Sequence, residues 1–333
     1  MPSMLLERLT MKRESKSYID SLHAILTDAH LFDGPKYRLS GLTGMAFKFT
    51  VHERLLPLSV TAYGQWTAEH KPAIDNLGLF TVMDAGRTRH PTFRHYQQDA
   101  VNWVKGSLEQ GIGVIYWLPE FGVISGYDDE DRVFFVQDGR STEPQIVLYD
   151  NFGINFTEFW YCQILGDKKV DIPYEAMLLE SLRLAISDWD TPYKTLPNKD
   201  IASGKLAYDF LISALNKGDY DEGGAVYILD SYFHSRKEIN AYLHEACGIW
   251  PKLDDASACY DQLAEAIPDM KRCIATTKEG RKINRAQCSN LIKRLAEAQL
   301  LEDQAVGLFR EVSRTYPDLK RSIVPRWGTH TPK

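Results

Sequence analysis

The sequence predicts an α+β fold in its first half and an all-helical second half. Between residues 113 and 150, four short runs of β-branched and aromatic residues alternate with turn sequences. After residue 168, apolar residues recur at helical spacing in one segment after another. Of the 333 residues, 44% are hydrophobic and 25% are charged, which is the composition of a globular protein with one large or two ordinary domains.

The first half opens with helices. In SYIDSLHAILTDAHL, which starts at Ser17, the apolar residues from Leu22 to Ala29 lie at helical spacing. A second helix is predicted over 93–110, where Ala100 and Val104 share one apolar stripe with their neighbours. Both helices precede the strand-rich region.

Four strands are predicted to follow in quick succession. Their sequences are GVIYWL, FGVISGY, RVFFVQD and QIVLYD, within 113–150. The breaks between them, LPE, YDDED and DGRSTEP, are rich in the residues that form turns. Because these connections are short, the pattern predicts an antiparallel meander.

Helices are predicted throughout the second half. They are expected near 174–185, 206–215, 223–247, 255–273 and 284–315. The change of pattern predicts two domains, an α+β domain over 1–167 and a helical domain over 168–333 that packs on it.

Charge and hydropathy argue against several classes of partner. The chain has 39 Lys and Arg against 45 Asp and Glu, a net charge of −6, whereas a general nucleic-acid binder is normally basic. No apolar run approaches the roughly 20 residues that span a bilayer. The N-terminal residues are charged and lack the apolar core of a signal peptide, so we expect a cytoplasmic protein that binds neither membrane nor nucleic acid.

Motifs for metals and common cofactors are not found. The five cysteines are odd in number and have no CxxC spacing, and the nine histidines show no HxH or HExxH pattern. Neither a P-loop nor a GxGxxG motif occurs. The sequence therefore predicts no disulfide framework, no metal site and no cofactor.

Three segments carry a resemblance to a known family. They are SYIDSLHAIL at 17–26, SGLTGMAFKF at 40–49 and EFGVISGYDDEDRVFFVQD at 120–138. Together they resemble the papain-like family named for the N-terminal domain of butirosin biosynthesis protein H, which is related to bacteriocin-processing cysteine peptidases. IASGKLAYDFLISAL, at 201–215, is similar to the helical segment that accompanies such domains. The resemblance implies a papain-like fold with an antiparallel sheet and a helical C-terminal extension.

The resemblance also implies a catalytic site that this chain has altered. It places the family's nucleophilic cysteine at Ser17, with Tyr18 next if the register slips, its histidine at Glu120 and its orienting carboxylate at Asp138. That chemistry needs a thiolate favoured by a helix N-terminus and an imidazole to take the thiol proton. No cysteine precedes Cys162, so thiol catalysis is not expected.

Three functions remain open at this point. The first is a catalytically altered papain-like protein, a pseudoenzyme that keeps a cleft for a small-molecule or peptide ligand and is related to acyltransferases and peptidases of peptide or natural-product metabolism. The second is an active hydrolase or acyltransferase in which Ser17 works with Glu120 and Asp138, two carboxylates that could share a proton. The third is a protein-interaction scaffold. The family likeness adds an acyl-carrier protein as a further candidate partner, and the oligomeric state is not predicted.

A second cluster of functional side chains lies in DAGRTRHPTFRHY, at 84–96. Arg87, Arg89, Arg94 and His95 concentrate positive charge in an acidic chain. Arginine presents a planar fork that suits carboxylate or phosphate, so the cluster predicts an anion-binding site. The alternative is that nearby acids neutralise these arginines in surface ion pairs.

Overall fold

The computed structural model describes residues 3–57, 61, 64–194 and 199–317, and it is an α+β structure with antiparallel sheets. The chain divides into two compact units, Met1–Leu39 with Leu77–Asp171, and Ser40–Asn76 with Ile172–Lys333. The second break falls close to the predicted boundary after residue 167. Residues 40–76, however, belong to the second unit, although the sequence places them in the first domain.

The helices and strands are labelled in chain order. They are β1 (Ser3–Leu5), α1 (Ser17–Asp28), α2 (Lys36–Leu42), β2 (Thr50–His52), α3 (Trp66–Asn76), β3 (Leu79–Arg87), α4 (Phe93–Glu109), β4 (Val114–Leu118), β5 (Glu120–Asp128), β6 (Val133–Gln137), β7 (Gln145–Leu148), β8 (Phe159–Lys168), α5 (Tyr174–Asp190), β9 (Ile201–Ser203), α6 (Lys205–Lys217), α7 (Glu222–Cys247), α8 (Asp254–Arg272), β10 (Ile274–Thr277), β11 (Gly280–Ile283) and α9 (Cys288–Arg314).

The first unit is built on one antiparallel sheet. Its strand order is β3-β8-β4-β5-β6-β7, and β1 pairs with β5 at one end of that strand. The predicted meander is confirmed, because β4 to β7 are four consecutive neighbours. Strands β3 and β8 are not predicted by the sequence, and β8 lies between β3 and β4, with Cys162 opposite both Asp84 and Tyr116.

Helix α4 covers one face of this sheet. Its residues Ala100, Val104 and Leu108 are buried against a core that includes Ile124 and Phe134. Burial of such side chains is the main favourable contribution to folding, at about 25 cal/mol per Å² of apolar surface. The apolar stripe over 93–110 therefore identifies the face of α4 that packs on the sheet.

The second unit is mostly helical, but it also contains two small sheets. Strand β2 pairs with β9, which joins the 40–76 segment to the chain beyond residue 200 and explains why that segment belongs to this unit. Strands β10 and β11 form a hairpin between α8 and α9. Gly280 has φ 121°, which favours glycine at this turn.

No helix within the described ranges has both the length and the apolar character that crossing a membrane requires.

Candidate functional site

The predicted nucleophile position lies at the start of α1. Ser17 is the first residue of this helix and is buried, and Lys16 occupies the N-cap position without a side-chain cap. Ser17 Oγ accepts a hydrogen bond from the backbone N–H of Phe121 at 3.3 Å. The serine hydroxyl is therefore held against the beginning of β5, next to the predicted base.

The predicted base is held by an arginine that the sequence does not single out. Arg13 Nη1 lies 3.0 Å from Glu120 Oε2, and 12% of the arginine side chain and 21% of the glutamate side chain are exposed. Arg13 Nη2 donates to the carbonyl oxygens of Phe121 at 2.8 Å and Asp138 at 3.0 Å. The Glu120 carboxylate is therefore engaged by the Arg13 guanidinium in a charge-assisted hydrogen bond.

The predicted orienting residue, Asp138, stabilises a turn. Its Oδ1 accepts the backbone N–H groups of Arg140 and Ser141 at 2.8 and 2.9 Å, and its Oδ2 accepts from Gln145 Nε2 at 2.9 Å. Burial alone would raise the pKa of Asp138, but these donors outweigh it and hold the pKa below its usual range. The carboxylate is therefore engaged in the β6–β7 connection.

The three predicted residues are connected through Arg13 and Phe121, and the hydrogen bonds described above lead their side chains to different partners. Arg13 links the start of β5 with the end of β6, and Ser17 is bonded to the residue after Glu120. The contacts of Ser17, Glu120 and Asp138 described above lead to Phe121 N–H, to Arg13 and to the 139–145 turn. The catalytic role of these three residues stays a prediction.

Aromatic side chains fill the space next to Ser17. The Phe121 ring is fully buried, and its centroid lies 5.2 to 5.5 Å from those of Tyr18, Trp117 and Tyr161, all in edge-to-face geometry. Tyr18 and Tyr161 both donate to Gln163 Oε1 at 3.0 Å. Burial raises the pKa of Tyr18 and of Tyr161 well above the ordinary value, so both hydroxyls stay protonated and act as donors.

A polar groove lies beside α1, and the sequence does not predict it. The cavity has a volume of about 440 Å³ and is lined by Lys12, Glu14, Asp20 and Lys36 together with α1 side chains. Lys36 Nζ is 2.9 Å from both Glu14 Oε2 and Asp20 Oδ1. Asp20 also accepts the backbone N–H groups of Glu14 and Ser15, so its orientation is fixed from several directions.

The groove presents charges of both signs to a ligand. Arg8 and Lys12 line it together with Asp28, and Thr27 adds a hydroxyl group. Its volume is within the range of about 300–1,000 Å³ that is typical of small-molecule sites. Because its lining carries both acidic and basic side chains, a molecule of the size of a dipeptide that carries both charges would find partners for each.

The predicted anion-binding residues do not all line the same groove. Arg94 lines a groove of about 680 Å³ and donates to the carbonyl oxygen of Asp150 at 2.7 Å. The other three described residues of this set, Arg87, Arg89 and His95, are exposed outside that groove. Arg87 lies 5.8 Å from the ring centroid of Phe159, at the end of β3. Anion binding by these residues stays a prediction. Among the four, Arg94 lines the groove described above.

Two further features of the described residues are their potential metal ligands and their thiols. Within the ranges that the structure describes, no group of three or more His, Cys, Asp and Glu side chains could hold a metal ion. All five cysteines are free, and burial raises the pKa of Cys162 to about 12 and that of Cys247 to about 11. A thiol with such a pKa is almost entirely protonated at neutral pH and is a weak nucleophile.

We expect the native protein to resist alkylation at Cys162. Iodoacetamide at pH 7.5 should leave this residue unmodified over hours, whereas all five cysteines should react in urea, because unfolding removes the burial that raises the thiol pKa. Mass spectrometry of tryptic peptides measures each site. Rapid alkylation of Cys162 in the folded protein would show that a thiolate is available after all.

No model of a known protein family matches the chain, and a search of curated proteins found no match either.

Proposed function

We propose that this protein is a catalytically altered member of the papain-like fold that binds a small polar ligand and lacks thiol catalysis. The observation that carries the proposal is the pairing of Arg13 with Glu120 beside Ser17. The resemblance implies a cysteine and a histidine at these positions. A serine hydroxyl next to an arginine-bound carboxylate supplies neither a thiolate nor a free base.

The groove beside α1 supports ligand binding as the retained activity. It opens on the same helix that begins with Ser17, and its lining combines Arg8, Lys12 and Lys36 with Glu14 and Asp28. A ligand with a carboxylate and an ammonium group matches this distribution, because each of its charges meets the opposite sign. We therefore take zwitterionic molecules of dipeptide size as the ligand class.

Removal of the Ser17 hydroxyl is expected to leave any hydrolysis of esters, thioesters or peptides unchanged. Ser17→Ala and the matched control Ser21→Ala, a buried serine one turn further along α1, should show equal rates with p-nitrophenyl acetate and with a peptide substrate. If Ser17→Ala lowers turnover by about tenfold or more, a loss of about 1.4 kcal/mol in transition-state stabilisation, and Ser21→Ala does not, the non-thiol enzyme is the correct function.

Ligand binding is tested by thermal unfolding of the unmodified protein and of two variants, each with a panel of dipeptides. A ligand that binds the native state raises the melting temperature with its concentration. Thr27→Trp, which fills the groove from the exposed side of α1, should abolish the rise, whereas Ser17→Ala should keep it. A panel that gives no rise in the unmodified protein would contradict the proposed ligand class.

A further inference from the structure

Strand β3 forms one edge of the sheet in the first unit. The strand order begins with β3 and continues to β8, and in the described part of the chain no strand pairs with the outer side of β3. Residues 81–86 of β3 are half-buried, whereas residues 121–127 of β5, inside the sheet, are buried throughout. The outer edge of β3 is therefore a row of backbone donors and acceptors with no strand beside it.

The register with β8 identifies which backbone groups of β3 point away from the sheet. Thr88 N–H donates to the carbonyl oxygen of Glu158 at 2.8 Å, and the pairing keeps one register after the irregularity near the start of β3. In an antiparallel pair, hydrogen-bonded and non-hydrogen-bonded positions alternate along the strand. The even-numbered residues counted back from Thr88 therefore direct their N–H and C=O groups at β8. Met83, Ala85 and Arg87 direct theirs outward.

The C-terminal end of this edge is positively charged. Arg87 is the last residue of β3, Arg89 follows two residues later, and both are exposed. Within the described ranges neither arginine forms an ion pair, and the Arg87 guanidinium lies over the ring of Phe159. Asp84 is the acidic residue of the strand itself. A ligand that complements this edge is acidic at one end and carries no charge along the rest of its length.

We propose that the outer edge of β3 binds an extended acidic segment of a partner protein, which joins the sheet as a further antiparallel strand. Backbone hydrogen bonds to Met83, Ala85 and Arg87 hold the segment, and its acidic residues lie beside Arg87 and Arg89. The orientation follows from the sheet, in which the paired strands are antiparallel. Because antiparallel neighbours run in opposite directions, the acidic residues are at the N-terminal end of the segment.

Charge favours this partner over a second copy of the chain. A second β3 brings its own Arg87 and Arg89 to the joint edge, whereas an acidic segment neutralises the arginines already there. The chain as a whole has a net charge of −6, so the attraction is local. At physiological ionic strength charges are screened beyond about 8 Å, which leaves the two arginines as the charges that a short segment meets. We therefore expect binding to weaken as salt is raised.

The first test compares two fluorescein-labelled peptides of the same composition on the unmodified full-length protein. EDETVTVT has its acidic residues at the N-terminal end, and TVTVTEDE has them at the C-terminal end. Fluorescence anisotropy should show that EDETVTVT binds about fivefold tighter or better, because its acids lie beside the arginines when the strands are antiparallel. Equal affinities, a preference for TVTVTEDE, or no binding by either peptide overturns the proposal.

The second test asks whether the peptide is bound through its backbone. Two versions of EDETVTVT carry N-methyl groups on alternate residues, one version at odd and the other at even positions. An added strand directs alternate N–H groups at its neighbour, so one version should lose binding and the other should keep it. If both versions bind as well as the unmethylated peptide, no strand is added.

Protein variants locate the binding edge. Met83→Pro removes an outward N–H, which an edge strand tolerates, and should abolish binding of EDETVTVT, whereas Met83→Ala should keep it. Arg89→Glu, at an exposed residue, should weaken EDETVTVT and improve binding of the basic peptide KRKTVTVT. Size-exclusion chromatography of the unmodified protein tests the other occupant. A dimer that dissociates in Met83→Pro would identify a second copy as the partner and overturn the proposal.

Discussion

Replacement of Glu302 by leucine is expected to lower the free energy of unfolding by about 3–5 kcal/mol, because it leaves a buried arginine without its partner. Glu302 lies on α9 and Arg236 on α7, and the exposed fractions of the two side chains are 3% and 1%. The guanidinium contacts both carboxylate oxygens, with Nη2 2.8 Å from Oε2. It also lies 4.4 Å from the ring centroid of Tyr232 and 5.0 Å from that of Phe49.

A double variant separates two contributions to the free energy of unfolding. One is the cost of leaving Arg236 unpaired, and the other is the net stabilisation by the Arg236–Glu302 ion pair. Arg236→Met with Glu302→Leu removes both charges and keeps apolar volume, so it should recover most of the stability that Glu302→Leu loses. Lys71→Ala serves as the surface control, because the Lys71–Asp75 pair is half exposed on both sides and should be worth less than about 1 kcal/mol. Urea unfolding measures all three, and a Glu302→Leu cost as small as that of Lys71→Ala would mean that Arg236 is solvated in the native state.

Substitution of Gly224 by alanine is expected to cost about 3 kcal/mol or more, because the new methyl group would overlap the backbone. A Cβ atom at this position would lie 2.0 Å from the carbonyl oxygen of Leu55 and 2.9 Å from the nitrogen of Pro57. Neither is the end of a flexible side chain, so the segment at 55–57 or the start of α7 has to move. Gly224 N–H also donates to Asp221 Oδ1 at 2.6 Å, and that N-terminal cap is lost with such a movement.

The neighbouring Gly223 provides a matched control, because its replacement by alanine should change the free energy of unfolding in the opposite direction. A Cβ atom at Gly223 would have Asp221 Oδ1 as its nearest neighbour, at 3.5 Å, which is an ordinary contact. Alanine is favoured over glycine in a helix by about 0.8–1 kcal/mol, so Gly223→Ala should stabilise the protein slightly. Thermal and urea unfolding compare the two variants. If Gly224→Ala matched Gly223→Ala, the close approach between α7 and the 55–57 segment would not exist in solution.

Part of the candidate site could be predicted from the sequence. The helix that begins at Ser17, the strand that begins at Glu120 and the strand that ends next to Asp138 all have a clear apolar pattern. The pairing of the two strands as neighbours follows from the short turn between them. The partner of Glu120 could not be predicted, because Arg13 is 107 residues away in a segment with no regular secondary structure and so leaves no periodic trace.

The sequence by itself determined the local structure and one chemical limit. Helical periodicity predicts α1, α4 and most of the second half, alternation between short apolar runs and turns predicts β4 to β7, and the lack of any cysteine before Cys162 excludes a thiol at the start of α1. The predicted helices and strands depend on residues close to one another in the chain. Apolar residues recur there every 3.6 residues in a helix and every 2 residues in a strand, and this periodicity indicates which face is buried.

The tertiary structure alone decided which distant residues meet. It inserts β8 between β3 and β4, joins the 40–76 segment to the second unit through the pairing of β2 with β9, and gathers Lys48, Glu69 and Lys194. The physical reason is that each of these contacts depends on backbone hydrogen bonding or desolvated charge between segments far apart in the chain. Neither kind of interaction imposes a periodic pattern on the neighbouring sequence. Such contacts can therefore be identified only in the folded structure.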